Sequence, residues 1–244
     1  MTPRNFLIAA AVTLAAGAAC AQTAKPEPDY TLAWNIGAVT DYRYRGISQT
    51  RLQPALQGGV DFTHKSGFYA GAWASTIKWI KDAGGSDDVE VDVYGGYKFE
   101  AGPVGMDVGV LTYTYPGNDL HPSADTQELY VAGTWGPATL KYSHAVSNLF
   151  GFADSSGSGY LELSGNFDLG NGWSVTPHVG HQSVHHNSAF AYTDYSVTVG
   201  KDLGHGVTAS LMAVGTSTKN YVGPAPSFRN LGRAGLVAGV KYTF

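Results

Sequence analysis

Leu236-Val237-Ala238-Gly239-Val240-Lys241-Tyr242-Thr243-Phe244 closes the chain on a period of two. Leu236, Ala238, Val240, Tyr242 and Phe244 fall on one side, and Val237, Gly239, Lys241 and Thr243 on the other. A strand places alternate side chains on opposite faces, so this pattern predicts one with a greasy face and a milder one. The same period runs upstream. Val89, Val91, Val93, Tyr97 and Phe99 alternate with Glu90, Asp92, Tyr94 and Lys98. Near the start, Leu32, Trp34, Ile36 and Ala38 oppose Thr31, Asn35, Asp41, Arg43 and Arg45. Further candidates lie at Ala55–Thr63, Phe68–Ile77, Val104–Tyr113, Glu128–Trp135, Thr139–Val146, Tyr160–Phe167, Trp173–Gln182, Tyr192–Gly200 and Val207–Val214, and the last begins near Leu231. That predicts about twelve strands and no helical stripe.

A soluble sandwich would explain one such strand as well as a membrane barrel does, because either buries the apolar face. The connections separate the two. Short turns centred on His64–Gly67, Ala101–Pro103, Gly136–Pro137, Gly170–Gly172 and Gly204–Gly206 alternate with long polar or Gly/Pro-rich loops at Gly46–Pro54, Lys78–Asp87, Pro116–Asp125, Ser147–Gly159, Ser183–Ala191 and Thr216–Asn230. Bacterial outer-membrane barrels have short periplasmic turns and long outer loops, and an even strand number returns both ends to the periplasm. The predicted fold is all-β: a transmembrane antiparallel up-and-down barrel over residues 30–244, both termini periplasmic. Aromatic residues near predicted strand ends, Tyr30, Trp34, Tyr42, Tyr44, Trp73, Trp79, Tyr113, Tyr115, Trp135 and Trp173, are read as interface girdles.

Composition agrees. Charged residues make up 14% of the chain and mean hydropathy is −0.11, the average of a sheet apolar on one face and polar on the other. Arg4, the apolar stretch Phe6–Ala16 and the small residues Ala19 and Ala21 around Cys20 match an export signal, predicted to cover residues 1–21. Residues 22–29 are then a short periplasmic lead. Cleavage after Ala21 removes the one cysteine, and taking Arg4 from 15 basic residues leaves 14 against 19 acidic ones, so nucleic acid is not an expected partner. No segment has the roughly 18 apolar residues of a transmembrane helix.

The terminal alternation, with Tyr242 and Phe244 outward, resembles the signal that the barrel-assembly machinery recognises in outer-membrane proteins. Asn35-Ile36-Gly37-Ala38-Val39-Thr40-Asp41-Tyr42-Arg43-Tyr44-Arg45-Gly46-Ile47-Ser48-Gln49-Thr50 resembles the opening strand and first loop of the TorF family of porins. Tyr113-Thr114-Tyr115-Pro116-Gly117, followed by Glu128 and Tyr130, resembles that family's middle signature. The resemblance extends through the chain after the signal. It implies an outer-membrane barrel among lipid, and no established catalytic residues.

Asp41, Arg43, Arg45, Asp61, Glu90, Asp92, Asp107, Glu128, Lys141 and Glu162 fall on polar strand faces and are expected to line the lumen. Charges there require hydration or a partner. One reading is a narrow pore passing small polar solutes; the other is a non-conducting structural or surface-interaction barrel closed by paired charges. Strand number leaves both open, because about eight strands are filled by side chains and 16–18 leave a channel. Arg43 and Arg45, two apart, are expected to pair with carboxylates such as Glu90 or Asp92, or else to contact an anionic solute. His178, His181, His185 and His186 match no chelate spacing, so no metal is expected. His181 and Ser183 have the His-x-Ser spacing of some lipid-modifying barrels, but so do three other pairs, and an enzyme is not the expected reading. No cofactor motif occurs. Nothing in the sequence sets an oligomeric state.

Overall fold

A computed structural model describes residues 28–244. The predicted export signal and most of the lead lie outside the described residues. The elements run β1 (Tyr30–Val39), β2 (Arg43–Tyr44), β3 (Ile47–Ser48), β4 (Ala55–His64), β5 (Phe68–Thr76), α1 (Trp79–Asp82), β6 (Val89–Ala101), β7 (Val104–Thr114), β8 (Thr126–Trp135) and β9 (Ala138–Ala145). Next come β10 (Gly159–Gly165), β11 (Phe167–Gly170), β12 (Trp173–Ser183), β13 (Tyr192–Gly204), β14 (Val207–Thr216) and β15 (Gly235–Thr243). β10 and β11 both pair with β12 and occupy one place in the wall, interrupted at Asn166. β2 and β3 pair only with each other. Twelve antiparallel places therefore form the wall.

The sheet closes between the first and last strands. Asn35, Gly37 and Val39 lie opposite Thr243, Lys241 and Gly239, and Trp34 and Phe244 exchange backbone hydrogen bonds of 3.0 and 2.9 Å. β1 pairs with β4 on its other side. Closure leaves the sheet no edge, the condition for a strand structure to survive in hydrocarbon. The short turns all fall at one end and the long loops at the other. The last strand starts at Gly235 rather than Leu231, which is buried in the preceding loop.

The outer face is apolar and open to the surroundings: Leu129, Leu161, Leu211 and Leu236 are all about half exposed or more. Aromatic rings gather outside at the short-turn end, where Tyr30 stacks on Phe62, Phe68 meets Tyr97, and Tyr242 stacks on Phe244. Trp34, Trp135 and Trp173 are exposed there too. The other six aromatics read as girdle, Tyr42, Tyr44, Trp73, Trp79, Tyr113 and Tyr115, instead belong to the main core cluster inside the long-loop end. Strand parity turns Trp73 and Tyr113 inward, whereas Tyr42, Tyr44, Trp79 and Tyr115 lie in the long connections between wall strands, which fold into the barrel mouth.

Inside, tyrosines lie across glycines on neighbouring strands. Tyr160 covers Gly180, where an added Cβ would sit 2.0 Å from the phenol oxygen, and donates to Asp194 at 2.8 Å. Tyr130 covers Gly109 and Tyr69 covers Gly96, so that the two phenols meet over the intervening strands. Glycine here supplies room for a ring parallel to the wall.

Two substitutions test the two faces. Leu211→Arg, at mid-strand on the outer face, should lose about 2–4 kcal/mol of folding stability in bilayers, while Ser210→Arg on the inner face should lose less. Gly180→Val should lower stability by about 1–3 kcal/mol through overpacking against Tyr160. All three are read from urea refolding followed by heat-modifiable gel migration.

Candidate functional site: an inward hairpin across the barrel

The loop joining β1 to β4 turns into the barrel. Arg45 and Gly46 have φ of 45° and 79°, and Tyr44 lies opposite Ile47, so the β2–β3 hairpin is closed by a two-residue turn with both central residues left-handed. Asp41 is the hub of its base, accepting from Ser48 Oγ at 2.5 Å and from Arg43 Nε at 2.5 Å. Arg43 Nη1 also donates to the carbonyls of Gly46, Leu231 and Arg233 at 2.8, 3.0 and 3.1 Å. The hairpin is thereby tied to the last long loop. Reading Asp41, Arg43 and Arg45 as part of the first wall strand was wrong in detail: β1 ends at Val39, and the loop begins at Thr40. A hairpin arm alternates at the same period as a wall strand, so the pattern could not separate them.

Arg45 at the tip crosses the interior. It donates to both oxygens of Glu128 on β8, at 3.0 and 2.7 Å, and to Gln182 on β12 at 2.7 Å. Its guanidinium lies 4.1 Å from the centre of the Tyr160 ring on β10 and 4.8 Å from that of Tyr44. Gly46 presses on β13 and β14, where an added Cβ would sit 2.6 Å from Thr216 and 2.8 Å from Asp194. Tyr42 donates to Glu90 on β6 at 2.5 Å, and Tyr44 reaches the Tyr113 hydroxyl on β7 at 2.6 Å. Burial, reinforced for Tyr42 by the Glu90 carboxyl, raises both hairpin phenols well above the usual range, which keeps them protonated. The two arginines thus pair with carboxylates, as expected, but the partners are Asp41 and Glu128 rather than Glu90 or Asp92.

The remaining predicted charges divide into separate groups. Asp61 accepts from Tyr94 at 2.5 Å, and Asp107 accepts from Tyr69 at 2.6 Å with Lys98 at 4.0 Å. Glu162 lies 4.0 Å from Lys141 and 3.5 Å from His178, which also meets Asp194 at 2.9 Å. Glu90 receives Tyr42 and Tyr115, the latter at 2.9 Å. Asp92 is buried with one carboxylate oxygen unpaired. Asp194, Gln182 and Tyr160 were missed, although Asp194 shares the polar face of its strand with Ser196 and Thr198. Their importance depends on the hairpin that reaches them.

The histidines do not converge. His178 is inside, His181 bonds Thr193 on the exposed side, and His185 and His186 stack in a loop at 3.8 Å. Among the described residues no group of three or more metal-binding side chains gathers. His181 and Ser183 are not paired with each other; Ser183 donates to the Gly159 carbonyl at 3.1 Å.

Between the hairpin and the long loops lies a cavity of about 430 Å³. Its wall includes Tyr44, Trp79, Tyr113, Tyr115, Phe150 and Tyr221, and Glu90 and Gln182 contribute at the hairpin side.

The fold is similar to those of two solved porins and of a further outer-membrane protein. The KdgM porin aligns over 87% of this chain and 99% of its own, with a TM-score of 0.58 and 8% identity. The NanC porin aligns over 88% and 99%, with 0.52 and 12%. Omp33 of Acinetobacter baumannii aligns over 88% and 98%, with 0.51 and 7%. At such identities the likeness is one of fold. No curated protein matches the chain in sequence. Residues 23–244 match the profile of the family described as "Bacterial protein of unknown function (Gcw_chp)", and the chain belongs to that family.

Proposed function

We propose that the protein is an outer-membrane, porin-like channel for passive diffusion of small hydrophilic solutes, narrowed by its own first loop. The observation that carries this reading is the β2–β3 hairpin, which lays Arg45 across a closed barrel between Glu128 and Gln182. A hydrated interior with a charged constriction selects solutes by size and charge. The exposed apolar belt and the aromatic rings at one end suit a bilayer, with the short turns and both termini on the periplasmic side. Tyr242 and Phe244, outward and stacked, serve as the barrel-assembly signal. The Asn35–Thr50 and Tyr113–Gly117 motifs support reading the chain as a relative of the TorF porins.

The solute path on this reading is lined by Asp41, Arg43, Arg45, Asp61, Glu90, Asp92, Asp107, Glu128, Lys141 and Glu162, with Asp194 added. Carboxylates outnumber cations there, so cations should pass in preference to anions. One solved relative in fold is the KdgM porin in complex with disordered oligogalacturonate, a polyanion. An acidic interior argues against a polyanion as the solute here.

A second reading has its own observation. The hairpin touches opposite walls, and Arg45 and Glu128 are both buried, which suits a non-conducting structural or surface-interaction barrel. Planar-bilayer recording distinguishes the two. The channel should give discrete steps with a cation-selective reversal potential in a salt gradient. Arg45→Ala should raise conductance about twofold or more by removing the side chain that spans the constriction. The same change should cost about 3–5 kcal/mol in refolding, because it leaves Glu128 buried without its cation. Silence from both the unmodified protein and Arg45→Ala, in a barrel shown to be folded, would reject the channel.

A further inference from the structure

The cavity above the hairpin is bordered by the long loops and has a chemistry of its own. Its volume of about 430 Å³ suits a small molecule. The wall holds the faces and edges of several aromatic rings, with Trp79 set edge-on to Tyr115 at 5.0 Å. Two carboxylates, Asp82 and Glu90, belong to the wall, and no lysine, arginine or histidine does. Asp82 is held by Arg51 from outside the wall, but Glu90 has no cation partner and accepts only phenols. Asp92, two residues further along the same face of β6, is at least nine-tenths buried and keeps an oxygen without a partner. Aromatic rings beside a carboxyl group without a cation partner attract an organic cation: the ring faces carry negative quadrupole charge, and the cation favours the ionised carboxyl, which then supplies the counter-charge. Anions are repelled by the same wall.

A further observation narrows the ligand. The Trp79 indole N–H is buried without a hydrogen-bond partner, and an unsatisfied buried donor is a cost that a ligand acceptor can remove. We propose that this cavity binds a small organic cation carrying a hydroxyl oxygen, a hydroxylated alkylammonium. The ammonium sits among the rings toward Glu90, and the oxygen accepts from Trp79. A neutral sugar would find rings to stack on but no use for the acidic side of the wall. The inference rests on the channel reading only in treating the cavity as the outer vestibule of the path; binding at equilibrium requires no conduction.

The full-length folded barrel in detergent is titrated with choline by calorimetry, with tryptophan fluorescence followed in parallel. Its neutral isostere 3,3-dimethyl-1-butanol, tetramethylammonium and glucose are titrated beside it. Choline should bind saturably, and the isostere about tenfold more weakly, since only the charge differs. Glu90→Gln should weaken choline about tenfold, and Trp79→Phe about threefold, with little effect of Trp79→Phe on tetramethylammonium, which has no oxygen. Heat-modifiable migration checks that each variant is folded. Equal binding of choline and the isostere, saturation by glucose alone, or no saturable binding by any probe overturns the proposal. Choline binding by a barrel that never conducts would leave this inference standing and remove the channel.

Discussion

The seam between β1 and β15 is the constraint on which the rest of the molecule depends. A strand in hydrocarbon must give every backbone donor and acceptor to a neighbour, so a sheet of twelve places has no stable open form there. Joining Asn35–Val39 to Gly239–Thr243 removes the two edges at once. It also fixes parity: once Trp34 and Tyr242 face out, every paired residue around the ring is assigned a side. A one-residue slip would put Glu90 and Glu128 outside and the leucines within.

Closure leaves an interior too wide for wall side chains alone, and the chain fills it by two devices. Along the wall, tyrosines lie over glycines of the adjacent strand and bond to carboxylates on the strand beyond it, as Tyr160 does to Asp194 and Tyr94 to Asp61. Toward the long-loop end the β2–β3 hairpin enters, and the largest core cluster forms around it. Arg45 is the residue that makes this entry tolerable. Its bidentate bond to Glu128 and its contact with the Tyr160 ring compensate for taking a guanidinium out of water. Asp41 and Arg43 do the corresponding work at the hairpin base.

Much of this was legible in the sequence, for a physical reason. The bilayer and the strand period act on each residue locally, so the alternation of Val89–Phe99 or Leu236–Phe244 records the face directly, and the loop lengths record the two ends of the barrel. The short turns and the twelve strands follow from that alone. The candidate site was half legible. Glu90, Glu128, Asp107 and Glu162 could be placed on a polar face, whereas the partners of Arg43 and Arg45 could not, and six aromatics taken for girdle proved to be core. Asp194, Gln182 and Tyr160 carried no stronger signal than any polar residue on a strand.

The sequence by itself determined the class of fold, the number of strands, the outward face of most of them and where the sheet ends. The tertiary structure decided that the first loop turns inward, that Arg45 spans the barrel to Glu128, and that an aromatic cavity lies above it. Facing is a property of a residue and its nearest neighbours along one strand. Pairing across an interior joins residues such as Arg45 and Gln182 that are 137 positions apart, and only closure of the sheet brings them within reach.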